Sequence, residues 1–257
     1  LYTHFSSFLT SNHAIFISIM NYIEINYENN MKMLALAIKY CSENFSHDEI
    51  INELKGDDDL KKQLCLIELS KINTQQEADI LVFNLTGHSG PVRETASYKI
   101  LELISSPNYN KFFQSDKISN TFVKSITDIN PSVSRNAVEI IKYVKNSQYL
   151  YENILKEIKK TLSDIDIDCK NRSYVQNKKN FNLYWNLEAL ICIAENINSD
   201  EQLFEIIQKI SLSNDYTIRE KAAKAASIFS KINPKFNEIL SVLQNDENIY
   251  VRKYTKK

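Results

Sequence analysis

Glycine is almost missing from this 257-residue chain: Gly56, Gly87 and Gly90 are all it has. Ordinary usage of about 7% would supply about 18. Folds built from tight hairpins, or from glycine loops that cradle phosphate, are therefore disfavoured, and the composition points to helix. Cysteine is also sparse, and Cys41, Cys65, Cys169 and Cys192 stand far apart with no C-x-x-C spacing and no neighbouring His. That argues against a disulfide framework or a zinc site and fits a reducing cytoplasm. Long apolar runs are missing too. The uncharged stretch 1–23 is broken by Ser6, Ser7, Thr10, Ser11, Asn12 and His13, and no basic segment precedes it. It reads as neither a membrane span nor a signal peptide. Leu1 is not Met, so a fragment of a longer array is one expectation, with Met20 the first internal start available.

Charge of one sign is lacking as well. Lys and Arg together number 31 against 32 Asp and Glu, a formal net charge of -1. Divided after Asp128, the halves carry about -5 and +4, far from the basic footprint of a dedicated nucleic-acid binder. Arginine is the rarest cation, at five residues beside 26 Lys, and Ile (33) and Asn (28) are abundant. That bias fits AT-rich codons.

Those few arginines are not scattered. Val92-Arg93-Glu94-Thr95-Ala96, Ile218-Arg219-Glu220-Lys221-Ala222 and Val251-Arg252-Lys253-Tyr254-Thr255 share an aliphatic-Arg-x-x-small pattern. Val133-Ser134-Arg135-Asn136-Ala137 keeps the aliphatic and the alanine but moves the arginine by one. Weaker copies run over 31–35, 60–64 and 185–189. The fifth positions, Ala35, Leu64, Ala96, Ala137, Ala189, Ala222 and Thr255, are spaced by 29, 32, 41, 52, 33 and 33 residues. This is a solenoid period with two insertions. Helical faces agree with it: Ile218, Ala222, Ala225 and Phe229 form one stripe, as do Val92, Ala96, Ile100 and Leu103, and Val133, Ala137, Ile140 and Val144. First helices are expected at 12–26, 46–54, 76–86, 111–127, 148–162, 199–210 and 234–244. Their partners are expected at 28–43, 57–71, 91–105, 131–145, 181–196, 215–231 and 248–257, with Asp57, Asn130, Asp215 and Asn248 as caps and Pro91, Pro131 and Pro234 at helix starts.

The pattern resembles HEAT repeats over nearly the whole chain. The resemblance implies an all-α, right-handed α-α superhelix of about seven helix pairs, one domain over 1–257. It also implies that the second helices line the concave side and that the repeat arginines Arg93, Arg135, Arg219 and Arg252 bond to acidic or Asn side chains in the inter-helix turns as a structural ladder. A row of partner-binding cations is the less favoured reading, because recurrence at a repeat position is what stacking demands.

The widest spacing places an inserted loop at 163–180, the first candidate contact surface. It carries Arg172, Lys178 and Lys179, and Tyr184 follows it; these four are the partner-binding candidates. Its alternating Asp164, Asp166 and Asp168 do not make a calcium loop, since Cys169 and Val175 stand where Gly and Glu are needed. A smaller insertion, 105–116, is expected to be solvated. Trp185 occupies the aliphatic position of its repeat and is expected to be buried between layers. His4, His13, His47 and His88 lack ligand spacing, and no nucleophile elbow, phosphate loop or H-E-x-x-H is present. No catalytic, metal or cofactor residue is assigned.

These features point to a cytoplasmic, noncatalytic scaffold whose partner is a protein or peptide, with neither nucleic acid nor membrane favoured. Two alternatives come from the resemblance. HEAT-like glycosylases that excise alkylated bases would need a basic concave groove, aromatic side chains and an acid, to which Tyr184, Trp185 and Glu188 are the nearest approach. HEAT-like bilin lyases are similar only at repeat level. The Lys-Tyr-Thr-Lys-Lys terminus shows no polar capping helix, so truncation or docking of a partner at that end is expected.

Overall fold

A computed structural model of the chain describes residues 27–164, 173–198 and 200–255. The expected first helix at 12–26 lies outside them. The described residues contain helices and connecting turns and no strand. The chain divides into two compact units, 1–73 and 74–257.

The first unit holds α1 (Tyr27–Asn44), α2 (His47–Glu53) and α3 (Asp59–Glu68). Ser46 and Glu49 close a reciprocal capping box at the start of α2, satisfying two otherwise free amides. Asp58, not the expected Asp57, caps α3, accepting from the amides of Leu60 at 3.0 Å and Lys61 at 3.1 Å. Ala37, Cys41 and Leu64 form the buried seam between α1 and α3, flanked by Ile38, Phe45 and Leu60. The repeat register here is off by two residues: Ala35 is exposed and Ala37 is buried.

Among the described residues, the second unit holds five helix pairs. They are α4 (Gln75–Phe83) with α5 (Gly90–Ser105), α6 (Asp116–Ser125) with α7 (Pro131–Ile141), α8 (Ser147–Asp164) with α9 (Tyr174–Ile193), α10 (Glu201–Ser211) with α11 (Tyr216–Phe229), and α12 (Asn237–Leu243) with α13 (Ile249–Arg252). Three of these second helices, α7, α11 and α13, are fixed at their starts by short polar side chains of one kind, whereas Ser89 before α5 makes no side-chain cap. Asn130 accepts from the Ser132 amide, Asp215 from the Thr217 amide and Asn248 from the Tyr250 amide, each at 2.9 Å. Such caps are worth about 1 kcal/mol each. Pro131 takes the first helical position, where its missing amide costs nothing.

The apolar stripes form the core. Ala96, Ile100, Val133, Ile140, Ala222, Ala225 and Phe229 are essentially inaccessible. Alanine at the fifth repeat position lets the second helices approach closely, and a leucine there would overpack the layer by about 1–3 kcal/mol. Consecutive second helices pack in an unbroken row, α5 on α7, α7 on α9, α9 on α11 and α11 on α13. The first helices pack α4 on α6, α6 on α8 and α10 on α12, and among the described residues no comparable contact joins α8 to α10. This two-layer stack of antiparallel pairs is an α-solenoid.

Three expectations are corrected. The described part of 163–180 is helix and not loop: Ser163 and Asp164 end α8, and the segment from Tyr174 on forms the first turns of α9, capped by Ser173. The remainder, 165–172, lies outside the described residues. The 105–116 insertion is solvated at Ser105, Pro107, Asn108, Lys111, Ser115 and Asp116 but anchored at its centre. It forms a 3-10 turn, Asn110–Phe113, whose Phe113 is fully buried, and Asn110 donates to the Ile104 and Tyr143 carbonyls at 3.0 and 3.1 Å. Trp185 is half-buried, packed edge to face on Tyr184 and Phe181. Leu183 and Leu187 take the interior positions of α9 instead.

Candidate functional site

Three of the repeat arginines fill the inner turns. Arg93 forks onto Asp128 of the next pair, Nε to Oδ2 at 2.7 Å and Nη2 to Oδ1 at 3.0 Å, while Nη1 donates to the Gly87 and His88 carbonyls at 2.9 and 3.0 Å. Arg219 repeats this on Asp246 at 2.6 and 3.1 Å, with Nη1 to the Ser213 and Asn214 carbonyls at 2.9 and 3.2 Å. Arg252 donates to the carbonyls of Asp246 and Glu247. Each turn Asp also accepts from the amide two residues on, Asn130 to Asp128 and Asn248 to Asp246, both at 2.8 Å. One carboxylate thus orders its own turn and ties it to the preceding second helix. Burial pushes the Asp246 carboxyl up, but the Arg219 fork and the Asn248 amide outweigh it and hold the group below its ordinary value.

Arg135 departs from this pattern. Ser134 takes the ladder slot, its Oγ donating to the Asp128 carbonyl at 2.8 Å. The arginine, one residue later and so about 100° further round the helix, is exposed. Among the described residues it makes no hydrogen bond or ion pair. The ladder is also interrupted at α9, where Asn186 holds the arginine position and is buried. The next link is made instead by Asn180 Nδ2 to Asp215 Oδ2 at 2.9 Å.

The polar faces of α7, α9 and α11 meet in one charged strip. On α7, Arg135, Glu139 and Lys142 share a helical face, and Lys142 Nζ lies 2.6 Å from a Glu139 carboxylate oxygen. On α9, Tyr184, Glu188 and Cys192 share the corresponding face. On α11, Lys221 and Lys224 both donate to Glu188, at 2.7 and 2.5 Å. Lys221 also sits 4.3 Å from the centre of the Tyr184 ring. Burial opposes the Glu188 charge, yet the two lysine hydrogen bonds hold its carboxyl below the ordinary range. Burial raises the Cys192 thiol, on which the charges of Lys142 and Glu139 from α7, of Glu188 from its own helix and of Lys224 from α11 act in opposing directions. Exposed Tyr98 on α5 stands at one end of this row of helices. At the other end, Lys253 Nζ reaches Glu220 at 2.8 Å.

The partner-binding candidates divide. Arg172 lies outside the described residues. Lys178 and Lys179 stand on the first turns of α9, with Lys178 exposed. Tyr184 is the one brought into the charged strip. Glu139, Lys142, Lys221 and Lys224 were not singled out from the sequence, although Lys221 and Lys224 follow Glu188 by 33 and 36 residues, about one repeat period.

On the opposite layer, a 390 Å³ cleft opens between α8 and α10, lined by Tyr151, Leu155, Lys156, Lys159 and Asp200. Tyr151 donates to Asp200 at 2.8 Å across it. Among the described residues, no cluster of His, Cys, Asp and Glu could hold a metal ion, and no helix is long and apolar enough to cross a membrane.

No protein-family profile and no curated protein matches the sequence. Similar solved structures include a designed armadillo repeat protein in complex with the peptide (KR)4, at 18% identity over 80% of this chain and 95% of that one, TM-score 0.47. A second designed armadillo repeat protein is 17% identical over 82% of this chain and 97% of its own, TM-score 0.48. An engineered protein is 14% identical over 82% and 96%, TM-score 0.49. The solenoid assignment rests on the helix pairs and their shared turn geometry.

Proposed function

We propose that this chain is a noncatalytic scaffold of the HEAT type, working in a reducing cytoplasm and holding a protein or peptide partner on its second-helix layer. The observation that carries the reading is the unbroken row of second helices from α5 to α13, packed more closely on one another than the first helices are. Closer packing in the second layer than in the first fits a stack that curves toward its second helices, and such a surface suits an extended segment or a helix. Cys41, Cys65 and Cys192 are free thiols, which fits the compartment.

The test is capture of partners from the source cell, followed by hydrogen-exchange mapping of the purified complex. Protection confined to α5, α7, α9 and α11 supports the reading. Protection confined to the α8–α10 cleft, or release of a base from alkylated duplex DNA that depends on Glu188, overturns it. Against the glycosylase alternative stands the pairing of Glu188 with two lysines, which leaves that carboxylate engaged within the protein.

A further inference from the structure

We propose that the α7–α9–α11 face recognises an extended protein segment bearing carboxylate side chains, with Arg135 and Lys224 as its two anchoring cations. The proposal deepens the scaffold reading and rests on it. Four cations, Arg135, Lys142, Lys221 and Lys224, share this strip with two carboxylates, Glu139 and Glu188. Glu139 is matched by Lys142. Glu188 is divided between two lysines, so one cation there lacks a full counter-charge, and the Lys224 side chain is the more exposed at 26% against 10% for Lys221. Arg135 is exposed with no partner among the described residues. Its planar fork binds a carboxylate through two parallel hydrogen bonds.

The interleaved acids decide which anion fits. A nucleic-acid backbone presents a charge every few ångströms and calls for continuous basic surface. Here Glu139 and Glu188 would lie against it, with Lys142 held to the first at 2.6 Å and Lys221 and Lys224 sharing the second at 2.7 and 2.5 Å. Isolated carboxylates placed opposite the two surplus cations avoid that repulsion. Neighbouring helix axes are about 8–10 Å apart, so crossing from α7 to α11 covers roughly 20 Å, or about six residues of extended chain at roughly 3.3 Å each. An even spacing also returns both acids to the same side of the strand. Tyr98 and Tyr184 supply apolar contact beside them.

The probes are fluorescein-labelled dodecapeptides of Ser, Thr and Tyr carrying two glutamates six residues apart, the same peptide with lysines in their place, and a duplex DNA of about 20 base pairs. Binding is read by fluorescence anisotropy at near-physiological salt. The glutamate peptide should bind at least about tenfold more tightly than the lysine peptide. Arg135→Glu and Lys224→Glu should each weaken it at least about fivefold, while Lys159→Glu on the other layer changes it less than about twofold. Unchanged helical circular dichroism and urea midpoints keep the variants interpretable, and Arg135→Gln serves as a milder second variant. Equal or tighter binding of the lysine peptide overturns the acidic preference but leaves the scaffold reading standing. Indifference to both Arg135 and Lys224 overturns the assigned face, and tighter binding of the duplex overturns the protein partner. Failure of every probe to bind overturns the acidic-segment inference, whereas hydrogen-exchange protection by a captured partner tests the scaffold separately.

Discussion

Replacing Arg219 with alanine tests the inner-turn ladder most directly. The guanidinium makes four hydrogen bonds, two to Asp246 and one each to the Ser213 and Asn214 carbonyls. The side chains of the ion pair are 12% and 6% exposed. Removing one partner of such a buried pair strands the other charge, at a cost of about 3–5 kcal/mol. Two features put the expected loss at the lower end, about 3 kcal/mol: Asp246 keeps the Asn248 amide, and the exposed Asn214 carbonyl can turn to water. Glu247, 3.6 Å away but 90% exposed, adds almost nothing. Repeat arrays need not unfold in two states, so the assay pairs urea denaturation followed at 222 nm with native-state hydrogen exchange of α11 and α13. A double-mutant cycle with Asp246→Ala should give a coupling of about 2 kcal/mol. Arg135→Ala, at the neighbouring sequence position of its own repeat, should stay within about 0.5 kcal/mol of wild type. An Arg219→Ala loss below about 1 kcal/mol, or an additive cycle, would refute the ladder as a source of stability.

Four further outcomes follow from individual contacts. Asp246 has a depressed carboxyl, so its stabilisation is fully present above the unfolded value of about 3.9 and is lost as pH falls through the lower folded value. Asp246→Asn should therefore lower stability near neutrality and flatten the acid limb of a plot of urea midpoint against pH. Ser134→Ala removes a buried hydroxyl's bond to the Asp128 carbonyl and should cost about 1 kcal/mol by urea denaturation. Asn130→Ala loses the α7 cap together with a 2.9 Å bond to Glu94, an expected loss of about 1–2 kcal/mol by the same measurement. Burial pushes the Cys41 thiol to about 11 and Cys65 to about 12, so in a Cys169→Ser, Cys192→Ser background neither should react with a thiol reagent at neutral pH faster than its helix opens.

Much of the helix pairing was legible because two local signals coincided. Val92, Ala96 and Ile100, or Ile218, Ala222 and Phe229, mark the buried stripe by spacing alone, and Asn130, Asp215 and Asn248 mark the starts by chemistry. The signal failed where one of the two was missing. Around α1 no arginine fixes the register, and the choice between Ala35 and Ala37 depended on what packs opposite, namely Leu64 from a later helix. At α9 the polar run Asn177-Lys178-Lys179-Asn180 looks like loop composition. Its helical form depends on the Ser173 cap and on the bond from Asn180 to Asp215 of the next pair. The charged strip was less legible still, because Glu188, Lys221 and Lys224 become neighbours only after stacking.

Arg135 shows why a departure from the repeat carries more functional information than the repeat itself. A residue that obeys the pattern, such as Arg93 or Arg219, is committed to an inner turn, with four of its five N–H donors bonded within the protein. Moving the arginine one place along α7 turns it about 100° away from that interior, and Ser134 takes over the turn bond with a much smaller side chain. The change lies next to α9, where the ladder is already interrupted because the helix starts early and Asn186 stands in the arginine slot. Where stacking does not claim the guanidinium, it is left on the face that also carries the Glu188 lysine pair. A Ser134→Arg, Arg135→Ser exchange would restore the repeat order and place the fork inward again. If stacking alone explains the arginines, that exchange should be neutral for binding. If the displaced arginine is an anchor, the exchange should lower glutamate-peptide affinity at least about fivefold without lowering the urea midpoint.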